Sequence, residues 1–197
     1  VEERRSFAHG ESGELIRQFR QRLPFELTRD QEQAYGEIRD DMERDRPMHR
    51  LLQGDVGSGK TAVALLALAK TIENRQQGIL MVPTEILAEQ HFQSCCGLMS
   101  GIGIRCALLT GRVKGKKRAE LLQQISDGTV DLVIGTQALI QPDVQFRQAG
   151  LVVVDEQHRF GVAQRANLQA KGDAPHTLVM SATPIPRTMA LTLYGDL

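Results

Sequence analysis

The segment GDVGSGKT, Gly54 to Thr61, spaces glycine, four residues, glycine, lysine and a hydroxyl residue, the pattern of a backbone loop that wraps a polyphosphate. Gly57 and Gly59 permit the tight turns that point backbone N–H groups at phosphate oxygens, so Gly54, Asp55, Val56, Gly57, Ser58 and Gly59 form the predicted cradle. A strongly helical stretch follows, and its positive end faces the same anion. Lys60 is placed to reach the β and γ phosphates, and Thr61 to set its hydroxyl on Mg²⁺.

A second chemical cluster closes the run LVVVDEQHRFG, where a buried strand ends in Asp155 and Glu156. Ligands of open parallel sheets collect at the carboxyl ends of the strands. Asp155 is therefore placed to hold Mg²⁺ through a water, and Glu156 to orient and deprotonate the water that attacks the γ-phosphate. His158 is placed to sense that phosphate and relay it to TLVMSATP, where Ser181, Ala182 and Thr183 follow another strand.

The elements that must position these residues are legible as periodicity. Short runs rich in Val, Ile and Leu recur at RLLQ before Gly54, ILMV from Ile79, CALL from Cys106, DLVI from Asp131, LVVV from Leu151 and TLVMS from Thr177. Apolar runs without alternation are strands buried on both faces, and here they alternate with helical patterns such as TAVALLALAKTIENR. The predicted fold is α/β, a mostly parallel sheet flanked by helices on both faces. A further helix is predicted from Asp30 to Arg44 behind Thr28 as N-cap. Residues 1–24 are read as a leading helix or linker and 25–197 as one nucleotide-binding lobe, with no internal repeat.

Composition narrows the class without choosing the partner. The 197 residues suffice for one well-cored domain, and 24 acidic residues balance 24 basic ones, so any basic surface is local. Three cysteines, two of them adjacent at Cys95 and Cys96, make neither a disulfide framework nor a metal site and fit a reducing cytosol. The longest apolar stretch is too short to span a bilayer, and VEERRSF lacks the apolar region of a signal peptide. The first residue, Val1, points to a processed or excised chain.

Read in order, LPFELTRDQ, GDVGSGKT, LTGRVKGKKR, IGTQALIQ, DEQHRFGVAQR and MSATPIPRT resemble the first RecA-like motor lobe of the RecG-type helicases of superfamily two, over roughly Leu23 to Leu197. The transcription-repair coupling factors share ATPIPRT and are the nearest alternative, but they carry a second Glu where this chain has Gln157. The resemblance implies ATP and Mg²⁺ as cofactors, with Gln31 matching the motif that reads adenine through a paired donor and acceptor. It implies a DNA-binding face of Pro83, Thr84, Thr110, Gly111, Gly135 and Thr136, whose hydroxyls and amides suit a strand backbone rather than its bases.

The run RVKGKKR adds Arg112 and Lys114 to that face as a local basic patch, the other reading being a solvated loop. The implied partners are branched DNA, a second RecA-like lobe and a duplex-splitting wedge domain of the same protein. The implied setting is a monomer in the bacterial cytoplasm, at the nucleoid, acting on forks and junctions in recombination and repair. Because the motifs of a second lobe are not in this sequence, the lobe alone is expected to turn ATP over slowly or not at all. A nucleotide-gated module that docks a protein is the alternative from a different class.

Overall fold

The computed structural model describes residues 13–54, 59–155 and 175–182, together with the backbone of 192–195. Their order is α1 (Glu14–Arg22), α2 (Arg29–Met42), β1 (His49–Gln53), α3 (Lys60–Glu73), β2 (Gln77–Met81), α4 (Glu85–Met99), β3 (Cys106–Leu109), α5 (Gly115–Ser126), β4 (Leu132–Gly135), β5 (Ala149–Asp155), β6 (His176–Ser181) and β7 (Thr192–Gly195). Single 3₁₀ turns follow α4 at Ser100–Ile102 and β4 at Gln137–Ile140. The strands form one sheet in the order β3-β4-β2-β5-β6-β1-β7, parallel throughout except for β7.

The apolar runs are continuous because both sheet faces are buried. Leu80, Leu132, Ile134, Leu151, Val153, Leu178 and Met180 join the core shared with α1 to α4. Their neighbours Ile79, Met81, Val133, Val152, Val154 and Val179 turn to the other face, beneath Ile125 of α5. That division follows the two-residue period of a strand. Gly135 is confined to its place for a steric reason, since a Cβ there would overlap the Leu109 carbonyl of the neighbouring strand.

Two features depart from the sequence reading, while α1 is the leading helix that reading allowed. Thr192–Gly195 is a strand, antiparallel to β1 with Tyr194 opposite Leu51. Four residues are too few to show a period, and the ladder of β1 is what orders them. The cations of RVKGKKR are not all in a loop, because Gly115 to Arg118 form the first turn of α5. Helix α1 packs its Ile16 and Phe19 into the common core, its Leu15 N–H donating to Glu73 of α3 at 3.2 Å. The guanidinium of Arg22 reaches the Gly97 carbonyl of α4 at 3.5 Å.

Helix α3 runs through the centre, buried without interruption from Ala62 to Thr71, which its Ala and Leu content allows. Lys70 is fully buried on it, 3.0 Å from the Glu43 carboxylate beyond the end of α2. Glu43→Ala removes this counter-charge and is expected to lower unfolding stability by about 2–3 kcal/mol in urea titrations, the low side for a buried pair because Glu43 is partly solvated. Adding Lys70→Met should restore most of the loss. A double variant as unstable as Glu43→Ala alone would show that the charge pair is not the cause.

Cys95, Cys96 and Cys106 are free thiols. Burial pushes Cys95 and Cys106 up to about 12, so both stay protonated and unreactive at neutral pH. No helix among the described residues is long and apolar enough to cross a membrane.

Candidate functional site

The carboxyl edge of the sheet divides into two halves. Strands β1, β6 and β5 are adjacent, and at their ends lie Gly54, Ser181 and Asp155. Strands β2, β4 and β3 follow, ending in the segments that hold Pro83 and Thr84, Gly135 and Thr136, and Thr110 to Lys114.

In the first half the Gly54 N–H donates to the Ser181 carbonyl at 3.1 Å, which ties the start of the phosphate loop to β6. Asp55, Val56, Gly57 and Ser58 lie outside the described residues, as do Glu156, His158 and Thr183. The loop returns at Gly59 with φ 83°, a left-handed conformation that favours glycine, and α3 begins at Lys60. Among the described residues no side chain caps this helix and no acidic residue stands in its first turn. Its leading N–H groups therefore keep the polarity that attracts an anion. Lys60 and Thr61 are half-buried on that turn.

Gln31 comes to the same place from α2. Thr28 accepts from the Gln31 N–H at 3.2 Å while the Gln31 side-chain oxygen accepts from the Thr28 N–H at 2.8 Å, a reciprocal capping box. The residue is only 5% exposed, and a Cβ on Gly59 would overlap its amide nitrogen. The amide is thus clasped between the start of α2 and the end of the phosphate loop.

Asp155 closes β5 with its carboxylate largely buried, 3.3 Å from Nε2 of His91 on α4. Ser181 is half-buried and donates to the neighbouring Ala182 carbonyl at 3.2 Å, while Ala182 is exposed. Among the described residues no three His, Cys, Asp or Glu side chains gather as metal ligands. That donor set still fits Mg²⁺, which retains waters and takes one or two protein oxygens beside phosphate oxygens. Thr61 and Asp155 are hard oxygen donors of that kind.

On the second half the hydroxyls shape the backbone first. Thr84 is exposed and caps α4 by accepting from the Leu87 N–H at 3.2 Å. Thr110 and Thr136 are buried, accepting from the N–H groups of Arg112 at 3.3 Å and of Ala138 at 3.5 Å. Pro83 is half-buried, whereas Gly111, Arg112 and Lys114 are exposed. The Arg112 guanidinium is held by two carboxylates of α4, Glu85 at 2.7 Å and Glu89 at 3.1 Å. Arg118 is tied to Asp143 at 3.0 Å and to Gln141 at 2.7 Å. Part of the basic run is thus already neutralised at home.

The two glutamates and His91 had no role in the sequence reading. Their partners lie on other elements, which α4 meets only because β2 pairs with both β4 and β5. For His91 one signal was present. With Ala88 and Cys95 it occupies the buried i, i+3, i+7 stripe of α4, where an apolar residue is the ordinary choice.

A mostly parallel sheet, a glycine-ended loop opening its central helix and a carboxylate closing β5, one strand beyond the β6 that β1 pairs with, define a RecA-like nucleotide-binding lobe. The model of the DEAD/DEAH box helicases matches residues 28–192, and the chain belongs to that family. It is 53% identical over 185 residues to the ATP-dependent DNA helicase RecG of Synechocystis sp., covering 94% of this chain and 22% of that protein. It is also 53% identical over 186 residues to the RecG of Bacillus subtilis, covering 94% and 27%. A solved structure of RecG bound to a three-way DNA junction superposes with a TM-score of 0.83 at 47% identity, over 95% of this chain and 25% of that one. The chain spans about a quarter of the length of the relatives it matches.

Proposed function

We propose that the chain is the ATP-binding motor lobe of a DNA translocase that unwinds or branch-migrates forked and junction DNA, acting in the bacterial cytoplasm at the nucleoid. The observation that carries this reading is the divided carboxyl edge: one rigid sheet offers a phosphate site on β1, β5 and β6 and a capped, partly basic face on β2, β4 and β3. Likeness to RecG over nearly the whole chain supports it. Residues 25–197 form the lobe and residues 1–24 lead into it, α1 being held against α3 and α4.

In this reading the first turn of α3 receives the phosphates on its leading N–H groups, and Lys60 neutralises the β and γ oxygens. The Gln31 amide, fixed by its capping box, presents polar atoms to the adenine edge. Thr61, and Asp155 through a water, would hold Mg²⁺, which would offset the charge that develops on the phosphate oxygens. Glu156 orients and deprotonates the attacking water, and His158, Ser181, Ala182 and Thr183 pass the state of the γ-phosphate along the edge. The second half holds a strand by its backbone through Pro83, Thr84, Thr110, Gly111, Arg112, Lys114, Gly135 and Thr136. Its buried hydroxyls support the loops, and the exposed amides and cations meet the phosphates.

ATP turnover by the full-length protein, measured with forked DNA and with linear duplex of equal length, tests this. Forked DNA should stimulate turnover and linear duplex should do so weakly. In the same assay Glu85→Gln with Glu89→Gln frees Arg112 for a phosphate, so the DNA concentration giving half-stimulation should fall about threefold, more steeply at low salt. Turnover indifferent to any DNA would overturn the motor reading.

A further inference from the structure

We infer that His91 is a positioning residue for the metal-side carboxylate, its Nε2 holding Asp155 in the rotamer that faces the phosphate site; the inference rests on the ATP-site reading above. Asp155 sits at the last position of β5, where the ladder ends and the side chain would otherwise turn about two torsions. Among the described residues His91 is the one side chain bonded to that carboxylate, through Oδ2 at 3.3 Å. Both side chains are 17% exposed, so little water competes for the contact.

The scaffold behind His91 is rigid. Ala88, Cys95 and Met99 are each 0% exposed and seat the same flank of α4 in the core, so the backbone that carries the ring is fixed. Thr84 and its bond to Leu87 fix the start of that helix. A histidine in an otherwise apolar stripe has to satisfy its ring nitrogens, and here one of them does so on the carboxylate. Hydrogen bonds to a carboxylate that holds a metal, directly or through its water, set its orientation, and losing such a partner typically weakens metal binding by about 10- to 100-fold.

The test is equilibrium binding of mant-ADP, a fluorescent ADP, to the full-length protein with Mg²⁺ and with EDTA. Magnesium should tighten binding to the natural protein. His91→Leu, close in size and without a donor, should lose about tenfold of that tightening while binding in EDTA stays the same. His91→Gln places an amide nitrogen near the position of Nε2 and should keep most of the magnesium effect.

Full magnesium dependence in His91→Leu would overturn the inference, and so would equal loss in both variants. Equal weakening of His91→Leu with and without Mg²⁺ would also overturn it, since that marks a general packing role. Absence of any magnesium effect in the natural protein would instead remove the ATP-site reading, and this inference with it.

Discussion

Lys60→Ala is expected to lower the kcat for ATP hydrolysis by the full-length protein about 10²- to 10³-fold, the loss that follows removal of one preorganised charge from a developing transition state. Lys60 stands half-buried at the first turn of α3, where alanine propagates the helix at least as well, so the fold should survive and circular dichroism should not change. Fork unwinding should disappear with turnover, because translocation draws on the same hydrolysis. The variant also separates the motor from a nucleotide-gated docking module. A module would keep partner binding when Lys60 is lost, and would have shown no unwinding to lose. Strand separation within about tenfold of the natural rate in Lys60→Ala, read on a labelled fork, would rule out the motor assignment.

How far the site could be read from the sequence depends on whether its contacts are local. The six parallel strands are legible because burial on both faces leaves unbroken apolar runs, and α2 because Thr28 and Gln31 form a cap three residues apart. The phosphate loop is legible because glycine, lysine and threonine must be neighbours in the chain to cradle an anion. For Gln31 the cap is local but the burial is not. Its burial comes from Gly59, 28 positions away, whose lack of a Cβ admits the amide.

The ion pairs of Arg112 with Glu85 and Glu89 join the loop after β3 to α4, which follows β2, across β4. They require the strand order β3-β4-β2, which no local pattern encodes. The same holds for His91 and Asp155, which meet because β2 and β5 are adjacent although 64 residues separate the two side chains. Strand β7 is silent for the converse reason, its four residues taking their conformation from the ladder of β1.

Residues 1–197 expressed alone are expected to hydrolyse ATP at least 10³-fold more slowly than the full-length protein on forked DNA, by roughly the 10³ to 10⁵ that a cation supplied from outside the lobe contributes in related phosphoryl transfers. Within the described residues the arginine that follows a strand's carboxyl end is Arg112, after β3. It stands about 14 Å from β5 across three strand spacings and is engaged by two glutamates. Lys60 supplies positive charge at the β and γ oxygens, but one cation on one side leaves the leaving-group side of an in-line transfer to water. A second lobe closing over the edge of β1, β5 and β6 would exclude that water and bring the missing charge, making the site of this chain one half of an interface. The mant-ADP titration of the isolated chain should still report a bound nucleotide, because the N–H groups, Lys60 and Gln31 all belong to it. If residues 1–197 alone turned over ATP within tenfold of the full-length protein, the chain would contain the whole catalytic site and the two-lobe account would be wrong.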